Sequence, residues 1–229
     1  VILALCLLLP LSPDYAWIAA QAKLPGDPAL SSYALLLVAV LFISTLRVRR
    51  PELREAVLRV SRETRRAVLQ HLKGLGPLHE VIESVEQVLD RAEEGFFSLV
   101  ESVERDYEKR YGYVAAICAV ASTLAAYALF GPQPTVRGIL ALAVVDPTAS
   151  LLTLYAPRGP RVLKHYFHSP IVAALLFLAV LIALGEGALR ALILSSAAAI
   201  IELMSPEDNL TLPLGVAAVH YLLSSVNCP

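Results

Sequence analysis

The chain has 229 residues, 57% of them hydrophobic, with a mean hydropathy of +0.64. Soluble domains are usually about 45–50% apolar, so a conventional water-facing globule is excluded for most of the length. The formal net charge is -1 and no uncompensated basic face stands out, which gives a nucleic-acid role no support. Cys6, Cys118 and Cys228 are scattered without CxxC spacing, which argues against a disulfide framework or a zinc site.

The charge is not spread evenly. Of 20 acidic residues, 13 fall between Arg47 and Tyr111, and 13 of the 19 Lys and Arg fall there too. The predicted fold class is therefore all-α: a polytopic membrane protein of about seven transmembrane helices. A charged cytoplasmic helical hairpin lies between its second and third spans. The organisation reads as residues 1–46, a two-span membrane segment; 47–111, the charged hairpin; and 112–229, a five-span membrane region.

In chain order, the apolar stretches are Val1–Ala20, Ser31–Leu46, Gly112–Phe130, Gly138–Tyr155, Pro170–Leu184, Ala188–Met204 and Leu212–Val226. Val1–Pro10 lacks the basic start and small-residue cleavage site of a signal peptide, so it reads as part of the first span. A span needs roughly 20 residues, so several of these imply tilt, bilayer thinning or burial by neighbours. Basic residues set the orientation. Arg47, Arg49 and Arg50 follow the second span, and Lys109 and Arg110 precede the third, so the charged segment is cytoplasmic. Alternation then places the loop Pro157–Ser169 and the turn Ser205–Thr211 on the same side. Arg137 and Arg190 fall on the outside, against the rule.

Within the charged segment, Ile82, Val85, Leu89, Ala92, Phe96, Leu99 and Val103 recur at steps of three and four, a heptad seam. Leu53, Val57, Val60, Ala67 and Val68 form a weaker apolar face, and Gly74, Gly76 and Pro77 separate the two. The pattern predicts an antiparallel coiled-coil pair. It also suits an arm for homo-oligomerisation or a protein partner through residues 51–108. The face of Arg54, Arg59, Arg62, Arg65 and Arg66 suits solvent or anionic headgroups.

Charges inside spans cost about 2.5–3.5 kcal/mol on insertion scales, which marks them as functional candidates. Asp146 lies in mid-span beside Pro147, Thr148 and Ser150, and Pro147 frees a backbone carbonyl one turn back. Glu202 lies near the cytoplasmic end of the sixth span. It is followed by Ser205-Pro206-Glu207-Asp208-Asn209-Leu210-Thr211-Leu212-Pro213. Oxygen ligands of this kind suit Mg²⁺ bound with the phosphates of a nucleotide. The plainer reading is a capped turn, with Asp208 or Asn209 as N-cap. His165 and His168 read either as phosphate donors or, with Tyr166 and Phe167, as an interfacial belt; the belt is favoured. His220 reads as a buried hydrogen-bonding residue.

The stretch Glu202 to Pro213 resembles the "E…DNLT-x-P" signature of the CTP-dependent lipid kinases, which include dolichol (polyprenol) kinase, phytol kinase and CTP-dependent diacylglycerol kinase. That family is related to the phosphatidate cytidylyltransferases. Asp146-Pro147-Thr148-Ala149-Ser150 is similar to the family's "G-D-x-x-A-S/A" block, with Val145 in place of the Gly. Lys164-His165-Tyr166-Phe167-His168-Ser169 is similar to "K-S-x-E-G-S", keeping the Lys and the last Ser, with Phe167 where the family has Glu. The resemblance covers Gly138 to Leu223.

What it implies is a membrane kinase moving a phosphoryl group from CTP, or another nucleoside triphosphate, to the hydroxyl of an isoprenoid alcohol or glycerolipid. Asp146, Glu202, Asp208 and Asn209 would be catalytic. Asp146, Glu202 and Asp208 would hold Mg²⁺, and Lys164, Arg158, Arg161 and Thr211 would meet the nucleotide. Two alternatives remain open: an enzyme like the cytidylyltransferases that forms a CDP-lipid, or a membrane scaffold acting through the hairpin. No Rossmann or P-loop pattern is present.

Overall fold

The computed structural model describes residues 2–15, 17, 26–49, 113–157, 159–162 and 165–226. Most of the charged segment, with its heptad seam and Arg face, lies outside the described residues. So do Arg158 and Lys164. The chain divides into two compact units, Val1–Val40 with Ala115–Pro229, and Leu41–Val114.

The first expected span does not run straight. Helix α1 covers only Ile2–Leu8 and passes into a 3-10 turn at Leu9–Leu11. Pro10 explains the break, because proline has no N–H to give and its ring clashes with the carbonyl four residues back. Tyr33, fully buried, donates its hydroxyl to the Leu7 carbonyl at 2.6 Å and so satisfies an orphan acceptor at the end of α1.

Helix α2 spans Pro28–Arg49. Asp27 caps it: its Oδ1 accepts the N–H of Ala29 at 2.9 Å and of Leu30 at 3.1 Å, and its Oδ2 accepts the Tyr127 hydroxyl at 2.9 Å. The Leu30 N–H, aided by Tyr127 and Ala29 and opposed by slight burial, holds the Asp27 carboxyl below its usual range. In the smaller unit, the N–H of Tyr113 donates to Ser44 Oγ at 3.2 Å. Ser44 and Tyr113, which flank the charged segment in sequence, are thus in contact.

Helix α3 (Val114–Phe130) and helix α4 (Pro132–Tyr155) are separated by Gly131 alone. That residue takes φ 79°, a left-handed conformation that glycine adopts without steric cost. Pro132 then starts α4 where no N–H is needed. The helix begins there rather than at the expected Gly138, since Gln133, Thr135 and Arg137 are helical in spite of their polarity.

A departure from the all-α expectation follows. Strands β1 (Arg161–Val162) and β2 (His165–Tyr166) form a small antiparallel hairpin, with Arg161 opposite Tyr166 and Val162 opposite His165. The Phe167 N–H closes it on the Pro160 carbonyl at 3.0 Å. Three helices complete the chain: α5 (His168–Ala183), α6 (Ala188–Met204) and α7 (Asp208–Ser225).

The β hairpin between α4 and α5 and short turns between α5, α6 and α7 make these helices successive neighbours, and α7 closes the ring against α4. Their shared core is rich in alanine, with Ala141, Val145, Ala173, Phe177, Leu194 and Val216 buried. A second core joins α1 to α4 through Leu7, Tyr33, Val120 and Ile139. The tightest approach is at Gly138, where a Cβ would lie 2.1 Å from the Pro213 carbonyl oxygen. Only glycine fits there.

Among the described residues, two helices are long and apolar enough to cross a membrane: Pro28–Leu46, mean hydropathy 2.2, and Pro132–Tyr155, mean hydropathy 1.6. Helices α3 and α5 are apolar but shorter. The outer faces are greasy as well. Leu35, Val38, Leu175, Leu176, Leu192 and Ile200 are each 48–63% exposed.

Candidate functional site

The antiparallel arrangement gathers one set of helix ends: the last turns of α4 and α6 and the first turns of α5 and α7. The hairpin folds over this end. Strand alternation sends successive side chains to opposite faces, so His165 turns inward and is buried while Tyr166 is only partly covered; Phe167, past the strand end, is half exposed. That overturns the interfacial-belt reading for His165.

Its inward position brings His165 to Glu202. Nε2 of the ring lies 2.7 Å from Glu202 Oε1, and Glu202 is completely buried. A buried carboxylate loses its hydration at a cost of several kcal/mol unless partners replace it. The other ring nitrogen, Nδ1, lies 2.8 Å from Thr153 Oγ1. Thr153 Oγ1 lies a further 3.3 Å from Ser169 Oγ, at the start of α5. A polar thread thus joins α4, the hairpin, α5 and α6.

Asp208 adds the second acid. One atom each from His165, Glu202 and Asp208 lie within 4.8 Å of one another. Asp208 opens α7 and Glu207 is the N-cap, so the turn is shifted by one residue from the sequence expectation that Asp208 or Asn209 caps it. Asp208 Oδ1 accepts from the Asn209 N–H at 2.9 Å and from Asn209 Nδ2 at 3.2 Å. The same Nδ2 donates to Glu207 Oε1 at 3.1 Å. Thr211 Oγ1 donates to Ser205 Oγ at 2.6 Å and reaches the Glu207 carbonyl at 3.1 Å. This network keeps the acidic turn wound tightly onto α7. Ser122 of α3 reaches in as well, donating to the Leu210 carbonyl at 2.6 Å.

Of the residues expected at a site, Glu202, Asp208, Asn209 and Thr211 come together here. Asp146 does not join the group of three whose atoms reach one another. It sits two turns before Thr153, about 10 Å along α4 at helical rise, with the Ser150 hydroxyl 3.3 Å from its Oδ1. Arg161 is on β1 and exposed. The sequence reading missed Thr153 and Ser169 as members of the site, and His165 as a partner of Glu202. The inward turn of His165 depends on a pairing of two-residue strands, which leaves no periodic signal.

The opposite end of the bundle holds a different cluster. Glu186, between α5 and α6, accepts from Arg137 Nε at 2.6 Å and pairs with Arg190 Nε at 3.6 Å. Arg190 Nη2 also lies 3.1 Å from His220 Nε2 and donates to Ser224 Oγ. Burial pushes the Glu186 carboxyl up, but the hydrogen bond and charge of Arg137, with Arg190 and His220, more than offset this and hold it below the usual range. Arg137 and Arg190, which break the basic-residue rule, are thus spent within an ion-pair network. His220 is buried and hydrogen-bonded, as its place in an apolar stretch suggested.

Fold and site define a helical bundle with membrane-length apolar helices and a buried acid–histidine cluster at one end. Comparison of the chain with family models, with curated proteins and with solved structures returns no match.

Proposed function

We propose that this chain is an integral membrane lipid kinase of about seven spans, transferring a phosphoryl group from CTP to the hydroxyl of an isoprenoid alcohol or glycerolipid. The observation that carries the reading is the meeting of Glu202 and Asp208, two acids of the resembling motif, in one buried pocket with His165. Membrane embedding is supported by the long apolar helices and by half-exposed leucines on outward faces, a pattern that a water-soluble monomer rarely tolerates over large areas. The pocket lies at the helix ends that basic flanks assign to the cytoplasm, where the nucleotide is found. Residues 51–108 serve as its contact with a second copy or a protein partner.

The donor set fits a divalent cation. Two carboxylates close together in a buried pocket repel each other, and hard oxygen donors suit Mg²⁺ carried with nucleotide phosphates. When bound, the ion supplies charge neutralisation to the transferring phosphoryl group. The rest falls to the chain. Glu202 and Asp208 hold the cation, Asn209 orients Asp208, and Arg161, Arg158 and Lys164 meet the phosphates. The hydroxyl oxygen of the lipid bonds to the γ-phosphorus as the bond from that phosphorus to the β-phosphate bridging oxygen breaks. Its proton passes to Asp208, and CDP leaves. Asp146 lies deeper, on the path of the lipid head.

The test is transfer from γ-labelled CTP to a panel of polyprenols, phytol and diacylglycerol by the purified chain in detergent. Asp208→Asn is expected to abolish it. Equal labelling by parent and variant, or none with any lipid, sinks the reading.

A further inference from the structure

His165 Nε2 and Glu202 Oε1 are 2.7 Å apart, and one donor atom each from His165, Glu202 and Asp208 lie within 4.8 Å of one another. Bonds of about 2.1 Å to an octahedral ion place neighbouring donors about 3 Å apart and opposite donors about 4.2 Å apart. The pocket is thus already close to the spacing that an ion would impose. The three donors come from β2, the last turn of α6 and the first turn of α7, so the fold, not one local turn, assembles them.

What lies behind His165 points the same way. A histidine that binds a metal through one ring nitrogen usually donates its other N–H to a fixed acceptor, which sets the tautomer. Thr153 Oγ1 lies 2.8 Å from Nδ1, and Ser169 Oγ lies 3.3 Å beyond it, able to accept the Thr153 hydrogen in turn. With the Thr153 hydrogen directed at Ser169 and the Nδ1 hydrogen at Thr153, Nε2 is bare and faces Glu202. Asp208 is likewise braced, by the backbone and side-chain N–H of Asn209.

We propose that His165, Glu202 and Asp208 form a mixed nitrogen–oxygen site for a divalent transition ion of the Mn²⁺ class, with His165 Nε2 as a direct ligand. Imidazole suits transition ions, whereas Mg²⁺ prefers all-oxygen shells. The inference rests on the reading of this pocket as the phosphoryl-transfer centre, and names the ion that His165 selects for it.

The experiment uses the full chain in detergent, stripped of metal and loaded with Mn²⁺ alone. Pulsed electron paramagnetic resonance of the bound Mn²⁺ is expected to show coupling to one nitrogen, which changes isotope signature when the protein carries ¹⁵N-histidine. The coupling is expected to vanish in His165→Gln and to persist in His220→Gln. Mn²⁺ is expected to outcompete Mg²⁺ by roughly 10-fold in the parent, and by less in His165→Gln. Bound Mn²⁺ without nitrogen coupling overturns the proposal, as does no bound Mn²⁺, or coupling that survives in His165→Gln. Should that variant not fold, the isotope shift in the parent decides alone. Nitrogen coupling without lipid phosphorylation keeps this site and ends the kinase reading. Phosphorylation with Mg²⁺ and no coupling does the reverse.

Discussion

Glu202 organises the pocket because it has no exposure to water and so depends wholly on its neighbours. Glu202→Gln keeps the shape and removes the charge. It is expected to lower kcat/KM for lipid phosphorylation by about 100-fold or more, the scale of losing a residue that sets charge at a reacting phosphate, while the melting temperature stays near that of the parent. A variant with full activity contradicts the role given to it. At the other end, Glu186 has a depressed carboxyl, so its stabilising effect is complete above the ordinary value of 4.5 and fades as the pH falls through the lower folded value. Glu186→Gln removes a charge-assisted hydrogen bond from Arg137 and is expected to cost about 1–2 kcal/mol near neutral pH. The gap between parent and variant is expected to close on acidification, as read by thermal melts across pH. A gap that is constant with pH argues against the pairing. Acids in apolar sequence announce themselves, which is why Glu202 and Asp208 were legible from residues alone. Arg137 was visible only as an anomaly, since its partner Glu186 is 49 residues away on the chain, whereas Arg190 pairs with Glu186 four residues before it.

Helix faces decide how the pocket is held. Helix α7 carries Asp208 in its first turn and meets α4 at Pro213, one turn later, where Gly138 leaves no room for a side chain. Gly138→Ala places a methyl against a backbone oxygen that cannot rotate away. Overpacking of this kind costs about 1–3 kcal/mol. Because α7 would shift with it, lipid phosphorylation is expected to fall together with the melting temperature. An alanine variant as stable as the parent would refute the contact. Asp27→Ala removes the cap of α2 and the Tyr127 contact, and is expected to cost about 0.5–2 kcal/mol, read as a lower melting midpoint. At this scale most helices were legible, because apolar runs between polar turns mark them. Boundaries were less so. Pro10 cut the first stretch and Pro132 extended the fourth, each through the same missing N–H acting inside a helix or at its start. The β hairpin had no signature, because two-residue strands are too short to show alternation.

For the whole molecule, the proposed membrane insertion and cytoplasmic placement of the site rest on one account of charge. Single cysteines at Pro206, which is exposed, and at Glu186 are expected to react from opposite sides of sealed vesicles, with Pro206→Cys accessible from the cytoplasmic face. Labelling of both from one side breaks the proposed topology. Site and membrane then join in a chemical outcome. The most direct test uses CTP labelled separately at the α- and γ-phosphates, given to the purified chain with a divalent cation, polyprenols, phytol and diacylglycerol. The account predicts γ-label in a lipid product, α-label left in CDP, and loss of both signals in Asp208→Asn. Label from the α-phosphate in the lipid, or no labelled lipid at all, would contradict it.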